Sequence, residues 1–167
     1  RRRNNGYALD ALLESDPFTG NGEKINVCKL LAGSEGPLAF TVSMKLNLVP
    51  VTHEKTGLLC AHFESLQDAV RANILVLKHR PAAVELIDDY ILNCTKDNIE
   101  QNRNRFFVRG DPKAILLIEI IRPSFNEIRS VAADMERDMV QAGFGFHFPL
   151  FTGADEIARV WELRKAG

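Results

Sequence analysis

Two groups of residues have types and spacings that could do chemistry. Gly33-Ser34-Glu35-Gly36 joins a short helical pattern to an extended one. Glycines flanking such a turn permit positive φ, or close backbone approach by a cofactor phosphate or planar ring. A glycine-flanked helix end accounts for the same four letters. The tetrapeptide alone leaves both readings open. Near the other end, Ile157, Trp161 and Arg164 fall at i, i+4 and i+7, one face of a helix. If that face is buried, the guanidinium needs an acceptor, and a substrate carboxylate could bind it bidentately. A solvated or structurally paired arginine is the alternative.

The remaining reactive types carry less. His53, His62, His79 and His147 have no HxH or i, i+4 spacing, and Cys28, Cys60 and Cys94 are odd in number with no CxxC. Neither a zinc site nor a disulfide framework is implied, and a reducing cytoplasm is the matching compartment. Glu85, Asp88 and Asp89 read as strand-end and capping residues. Arg1-Arg2-Arg3 is a basic cluster in a chain of net charge -1, so a solvated terminus is expected and no nucleic-acid partner. The longest apolar run, Ala114 to Ile121 with Glu119 inside it, falls far short of the roughly 20 residues that span a bilayer.

These residues must be positioned by a chain of 167 residues, long enough for one core plus part of another. Residues 1 to about 50 hold two short helical patterns, Ala8 to Leu13 and Ile25 to Ala32, and a strand, Leu38 to Val49, stopping at Pro50. That is too little apolar surface to fold alone.

From residue 55 the pattern is regular. A strand at Leu58 to Phe63 leads to a helix N-capped by Ser65 with Asp68 at N3, its apolar stripe Leu66, Val70, Ile74 and Leu77. A strand at Ala83 to Ile87 precedes a polar stretch, Asn93 to Arg105, expected as a mobile loop. A strand at Ala114 to Ile121 then leads to a helix capped by Ser124 and Glu127, with Ile128, Val131, Met135 and Met139 inward and Gly143 as its stop. Phe144 to Phe151 reads as a fourth strand. The order βαβ-βαβ implies an α+β, ferredoxin-like antiparallel sheet with two helices on one face and the other face free. A free apolar face needs a partner domain, or a second copy paired sheet to sheet as a homodimer.

The segment Leu30-Leu31-Ala32-Gly33-Ser34-Glu35-Gly36-Pro37-Leu38 resembles the LxxGSEGTLG segment of the FAD-linked oxidase family of glycolate, D-lactate and D-2-hydroxyglutarate dehydrogenases. Asn4-Asn5-Gly6-Tyr7 with Leu9 and Leu12 is similar to its NTGY-x-L segment, Pro81 to Asp88 to its P-x-A-V-E-L-x-D strand, and Val160 to Arg164 to its V-W-x-x-R helix. Asn5, Pro37 and Ala39 stand where the family has Thr, Thr and Gly, and Pro37 offers no N–H. The resemblance implies that residues 1–50 are the C-terminal remnant of an FAD-binding domain, with Asn4, Gly6, Gly33, Ser34, Glu35 and Gly36 on the cofactor side. It implies that 55–167 is a substrate-cap domain cut short at its C-terminal end, with Arg164 binding a carboxylate. Glu35 is expected to accept backbone N–H groups rather than to act as acid or base.

The implied parent is an FAD-dependent dehydrogenase that takes a small 2-hydroxy acid by hydride transfer to flavin and passes electrons to an iron–sulfur or flavoprotein acceptor. The family's glycine-rich pyrophosphate loop and metal cluster would lie outside this stretch, so the chain alone is expected to lack FAD and turnover. The rival reading is a non-enzymatic ferredoxin-like module for ligand binding or dimerisation.

Overall fold

The structure, a computed structural model, describes residues 7–16, 18–20, 24–48, 54–96 and 98–165. The chain divides into two compact units, Arg1–Pro50 and Val51–Gly167.

In the first unit α1 spans Leu9–Leu13 and α2 spans Cys28–Leu31, both without a buried residue. The strand expected from Leu38 is not formed over the described residues 38–48. An extended segment becomes a strand only when a neighbour takes up its N–H and C=O groups. The alternation is nonetheless clear, with Phe40, Val42, Met44, Leu46 and Leu48 all strongly exposed.

The second unit holds β1 (Lys55–Phe63), α3 (Leu66–Val76), a 3-10 turn (Leu77–His79), β2 (Ala83–Asp88), α4 (Asp89–Cys94), α5 (Ile99–Asn102), a 3-10 helix (Arg103–Phe107), β3 (Ala114–Arg122), α6 (Phe125–Gln141), β4 (Leu150–Phe151) and α7 (Ala154–Lys165). The sheet order is β2-β3-β1-β4, every neighbouring pair antiparallel. That is the ferredoxin-like order. Ser65 and Ser124 cap α3 and α6 by accepting from the N–H of Asp68 and Glu127, as their spacing implied.

One face of the sheet, Leu59, Ala61, Phe63, Leu116, Ile118 and Ile120, packs on α3 and α6. Gly57 lets α6 come close, because a Cβ there would stand 2.5 Å from Ile128 Cγ2. Against expectation, α3 turns Ala69, Ala72 and Val76 inward and leaves Leu66, Val70, Ile74 and Leu77 exposed. Small residues let the helix sit close to the strands, and close packing outweighs the larger stripe.

The opposite face is not free. Leu58, Cys60, Ile115, Leu117 and Ile87 pack with Leu92 of α4, Phe107, and Val160 and Leu163 of α7. The stretch expected as a loop is ordered into short helices that lie between two of the covering residues, Leu92 and Phe107. Asn98 caps α5, and Arg105 donates to the carbonyl of Leu92 and to Thr95 Oγ1, tying the 3-10 helix to the end of α4. Arg159 of α7 lies over the Phe106 ring at 4.4 Å. A sheet-to-sheet dimer therefore has no bare face to use.

The fourth strand is shorter than expected. Pro149 has no N–H for a ladder, so between His147 and β4 only carbonyls serve β1: those of His147 and Pro149 each accept at 2.9 Å, from His62 and Cys60.

Gly57→Val, which overpacks the α6 contact, should destabilise the chain by about 1–3 kcal/mol. Ile74→Ser should stay within about 0.5 kcal/mol, as for an exposed site. Urea unfolding midpoints check both, and a large loss at Ile74 would contradict the observed face of α3.

Candidate functional site

In the first unit the Gly33-Ser34-Glu35-Gly36 turn follows the end of α2, where the Ala32 N–H donates to the Cys28 carbonyl. Ser34 is buried and donates through Oγ to the Leu31 carbonyl at 3.0 Å, which holds the turn against the helix. Positive φ falls on Glu35 (55°) and Gly36 (93°), not on Gly33. A non-glycine residue held there costs about 1–2 kcal/mol, so the turn carries local strain. Tyr7, Gly33, Ser34, Glu35 and Pro37 line a cavity of about 600 Å³. Open space lies where a Cβ on Gly36 would stand.

This turn fits one edge of a flavin, since a planar ring can reach the backbone at Gly36. It does not fit a pyrophosphate: among the described residues lining the cavity there is no cation, and Glu35 carries the wrong charge. The Glu35 carboxylate is exposed, and no backbone N–H among the described residues donates to it. Asn4 and Gly6, the other expected cofactor-side residues, lie outside the described residues.

In the second unit α7 presents Val160 and Leu163 to the core, with Ile157 and Trp161 partly buried beside them. Arg164 sits at the margin of that face, its side chain 47% exposed. The structure gives it a partner within the chain: Nε meets Oε2 of Glu85. Glu85 is therefore not a strand-end residue. It stands mid-strand in β2, and Oε2 is buried with no hydrogen bond of good geometry, leaving the arginine as its compensation. Nη1 and Nη2 of Arg164 have no partner among the described residues. Glu85, Ala158, Trp161, Glu162, Arg164 and Lys165 line a cleft of about 390 Å³, in which Lys165 pairs with Glu162 at 2.9 Å. Among the described residues each cation lining the cleft has its own acid.

Sequence reasoning missed Glu85 and Tyr7. The signal for Glu85 was a lone acid between Val84 and Leu86 within an apolar strand. The role expected for Asp88 is observed: its carboxylate accepts from the Ile91 N–H at 2.9 Å and caps α4.

The histidines form a separate group. His62 is fully buried, with Nδ1 2.9 Å from the Cys60 carbonyl and Nε2 3.4 Å from the Arg109 N–H. Both contacts are good only for the neutral ring protonated at Nδ1. Burial, above all, lowers its pKa to about 4. Burial followed by the Arg109 charge lowers that of His147, whose ring centroid is 5.0 Å away. His79 Nε2 lies 2.8 Å from Asp138 Oδ2, and His53 lies outside the described residues. Burial raises the Cys60 thiol well above its usual range, so it is no nucleophile. Among the described residues no group of three His, Cys, Asp or Glu could hold a metal ion, and no helix is long and apolar enough to cross a membrane.

The fold and its cleft define an α+β ferredoxin-like domain with an arginine paired to a half-buried acid. Residues 52–167 match the family of FAD linked oxidases, C-terminal domain, and the chain belongs to that family. It is 25% identical over 150 residues to a D-2-hydroxyglutarate dehydrogenase of Pseudomonas putida, covering 85% of this chain and 15% of that protein. It is 30% identical over 117 residues to that of Haemophilus influenzae, covering 70% and 11%. With that of Pantoea ananatis it shares 23% over 157 residues, covering 89% and 15%. The chain thus spans no more than about 15% of the length of these curated relatives.

A group buried as the neutral form makes stability depend on pH. The folded pKa of His62 lies below the unfolded value of about 6.5, so its contribution is complete above that pH and is lost as pH falls toward 4. The loss should reach about 2 kcal/mol by pH 5, at 1.36 kcal/mol per unit. Denaturant unfolding at pH 7 and pH 5 measures it, and His62→Gln should flatten the dependence. An equal slope in the variant would remove His62 as the cause.

Proposed function

We propose that the chain is part of an FAD-dependent dehydrogenase acting on a small 2-hydroxy acid, in which Arg164 binds the substrate carboxylate. The observation that carries this is the Arg164 guanidinium in an open cleft, its Nε paired with Glu85 and its two terminal nitrogens without partners among the described residues. Such a fork matches a carboxylate in bidentate geometry. The names of the matched relatives support the substrate class, a 2-hydroxy dicarboxylate in their case.

Residues 1–50 then read as the remnant of the FAD-binding domain and 55–167 as the cap. The exposed alternation from Phe40 to Leu48 supports the first assignment, because it has the form of a strand whose sheet partners lie elsewhere. Gly33, Ser34, Glu35 and Gly36 would line one edge of the flavin, with Asn4 and Gly6 on the same side by resemblance. Bound FAD supplies the hydride acceptor at N5. The work of this chain is to orient the hydroxy acid and exclude water, and electrons would leave to an iron–sulfur or flavoprotein partner. These 167 residues by themselves are expected to hold no flavin, since the described lining of the 600 Å³ cavity has no group for a pyrophosphate.

The full-length gene product should carry flavin absorbance and oxidise 2-hydroxy acids, while the 167 residues alone purify colourless. In the full-length protein Arg164→Met should lower kcat/KM by about 30-fold or more, equivalent to losing a buried charged pair at about 2 kcal/mol or above. An unchanged kcat/KM would remove Arg164 from the site, and a stoichiometric flavin spectrum in the short chain would overturn the division of labour.

A further inference from the structure

Glu85 is the acid that decides how Arg164 is held. In β2 its side chain shares the face of Ile87, which is buried against the α7 side of the sheet, whereas Val84 packs with α3 and α6. The strand is rigid, being paired to β3 from Ala83 to Asp88. Glu85 therefore offers a carboxylate from a fixed platform. Arg164 lies in the last turn of a helix, on a long side chain with substantial rotamer entropy. The ion pair at Nε holds one edge of the guanidinium beside the strand and leaves the end-on edge, Nη1 and Nη2, for a second carboxylate.

The strength of the pair argues for orientation over stability. With both side chains more than a third exposed, such an ion pair contributes little to folding. Yet Glu85 Oε2 is itself buried and makes no hydrogen bond, so the Arg164 charge beside it is its compensation. An acid placed in an apolar strand, dependent on one arginine and contributing little to stability, is explained by what it does to that arginine.

We propose that Glu85 is a positioning residue, holding Arg164 through Nε so that its terminal nitrogens stand preset for the substrate carboxylate. This rests on the reading of Arg164 as the carboxylate anchor.

The test uses the full-length flavoprotein with a 2-hydroxy acid as substrate. Glu85→Leu, which fills the same volume without an acceptor, should raise KM about tenfold or more while kcat changes less than threefold, because orientation of a bound carboxylate is what is lost. Glu85→Gln keeps an oxygen of the same reach beside Nε and should bring KM back to within about threefold of the parent. The Glu85→Leu, Arg164→Met double variant should be no worse than Arg164→Met alone, since both changes remove one unit. A KM unmoved in Glu85→Leu, with Arg164→Met still impaired, overturns the positioning role and leaves the anchor standing. An unimpaired Arg164→Met overturns the anchor and the positioning role together. Should Glu85→Leu fail to fold, the decision falls to Glu85→Gln: a KM raised as far as in Arg164→Met would overturn the proposal, and a KM near the parent value would uphold it.

Discussion

Burial of the two central strands on both faces is the constraint on which the second unit depends. From Gly57 to Phe63 every residue of β1 is buried, and β3 is buried from Ala114 to Ile118. A ferredoxin-like sheet covered by two helices alone would leave half of those side chains in water. At roughly 1.5–3 kcal/mol for each large apolar side chain, exposing Leu58, Ile115 and Leu117 would cost more than a small domain can spare. The second layer of α4, the 3-10 helix and α7 is therefore as much a part of the core as α3 and α6.

That second layer also places the candidate site. Because Val160 and Leu163 must reach the sheet, the rotation of α7 is set, and Arg164 is carried to the margin where Glu85 rises from β2. Core packing and a functional side chain are thus coupled through one helix. The phenylalanines beneath it, Phe106, Phe107 and Phe151, meet edge to face at 5.3–6.4 Å and seat the 3-10 helix under α7.

Much of this was legible in the sequence. The four strands, the capped helices and the βαβ order follow from period, capping residues and glycine stops, and the α+β class with them. The covered second face did not follow, although its signal was present. Leu58 to Ala61 and Ala114 to Ile118 are continuous apolar runs, while a strand with one wet face would alternate. The stretch from Asn93 to Arg105 looked like a loop because its helices are each only a few residues long. They are held by Asn98 and Arg105 rather than by propensity. The stripe on α3 misled because size was taken as the guide to burial, when closeness of approach chose the alanines. Arg164 was legible as a charged group on an apolar helix, but its partner on a distant strand is set by topology.

The most direct measurement is native-state hydrogen exchange on the whole chain and on one ending at Thr152, which lacks α7. If α7 closes the second face, amides of β1 and β3 should lose at least about 100-fold in protection when it is removed, equivalent to about 2.7 kcal/mol of burial. Equal protection in the two chains would show that the sheet does not need this helix, and the placement of Arg164 would lose its physical basis.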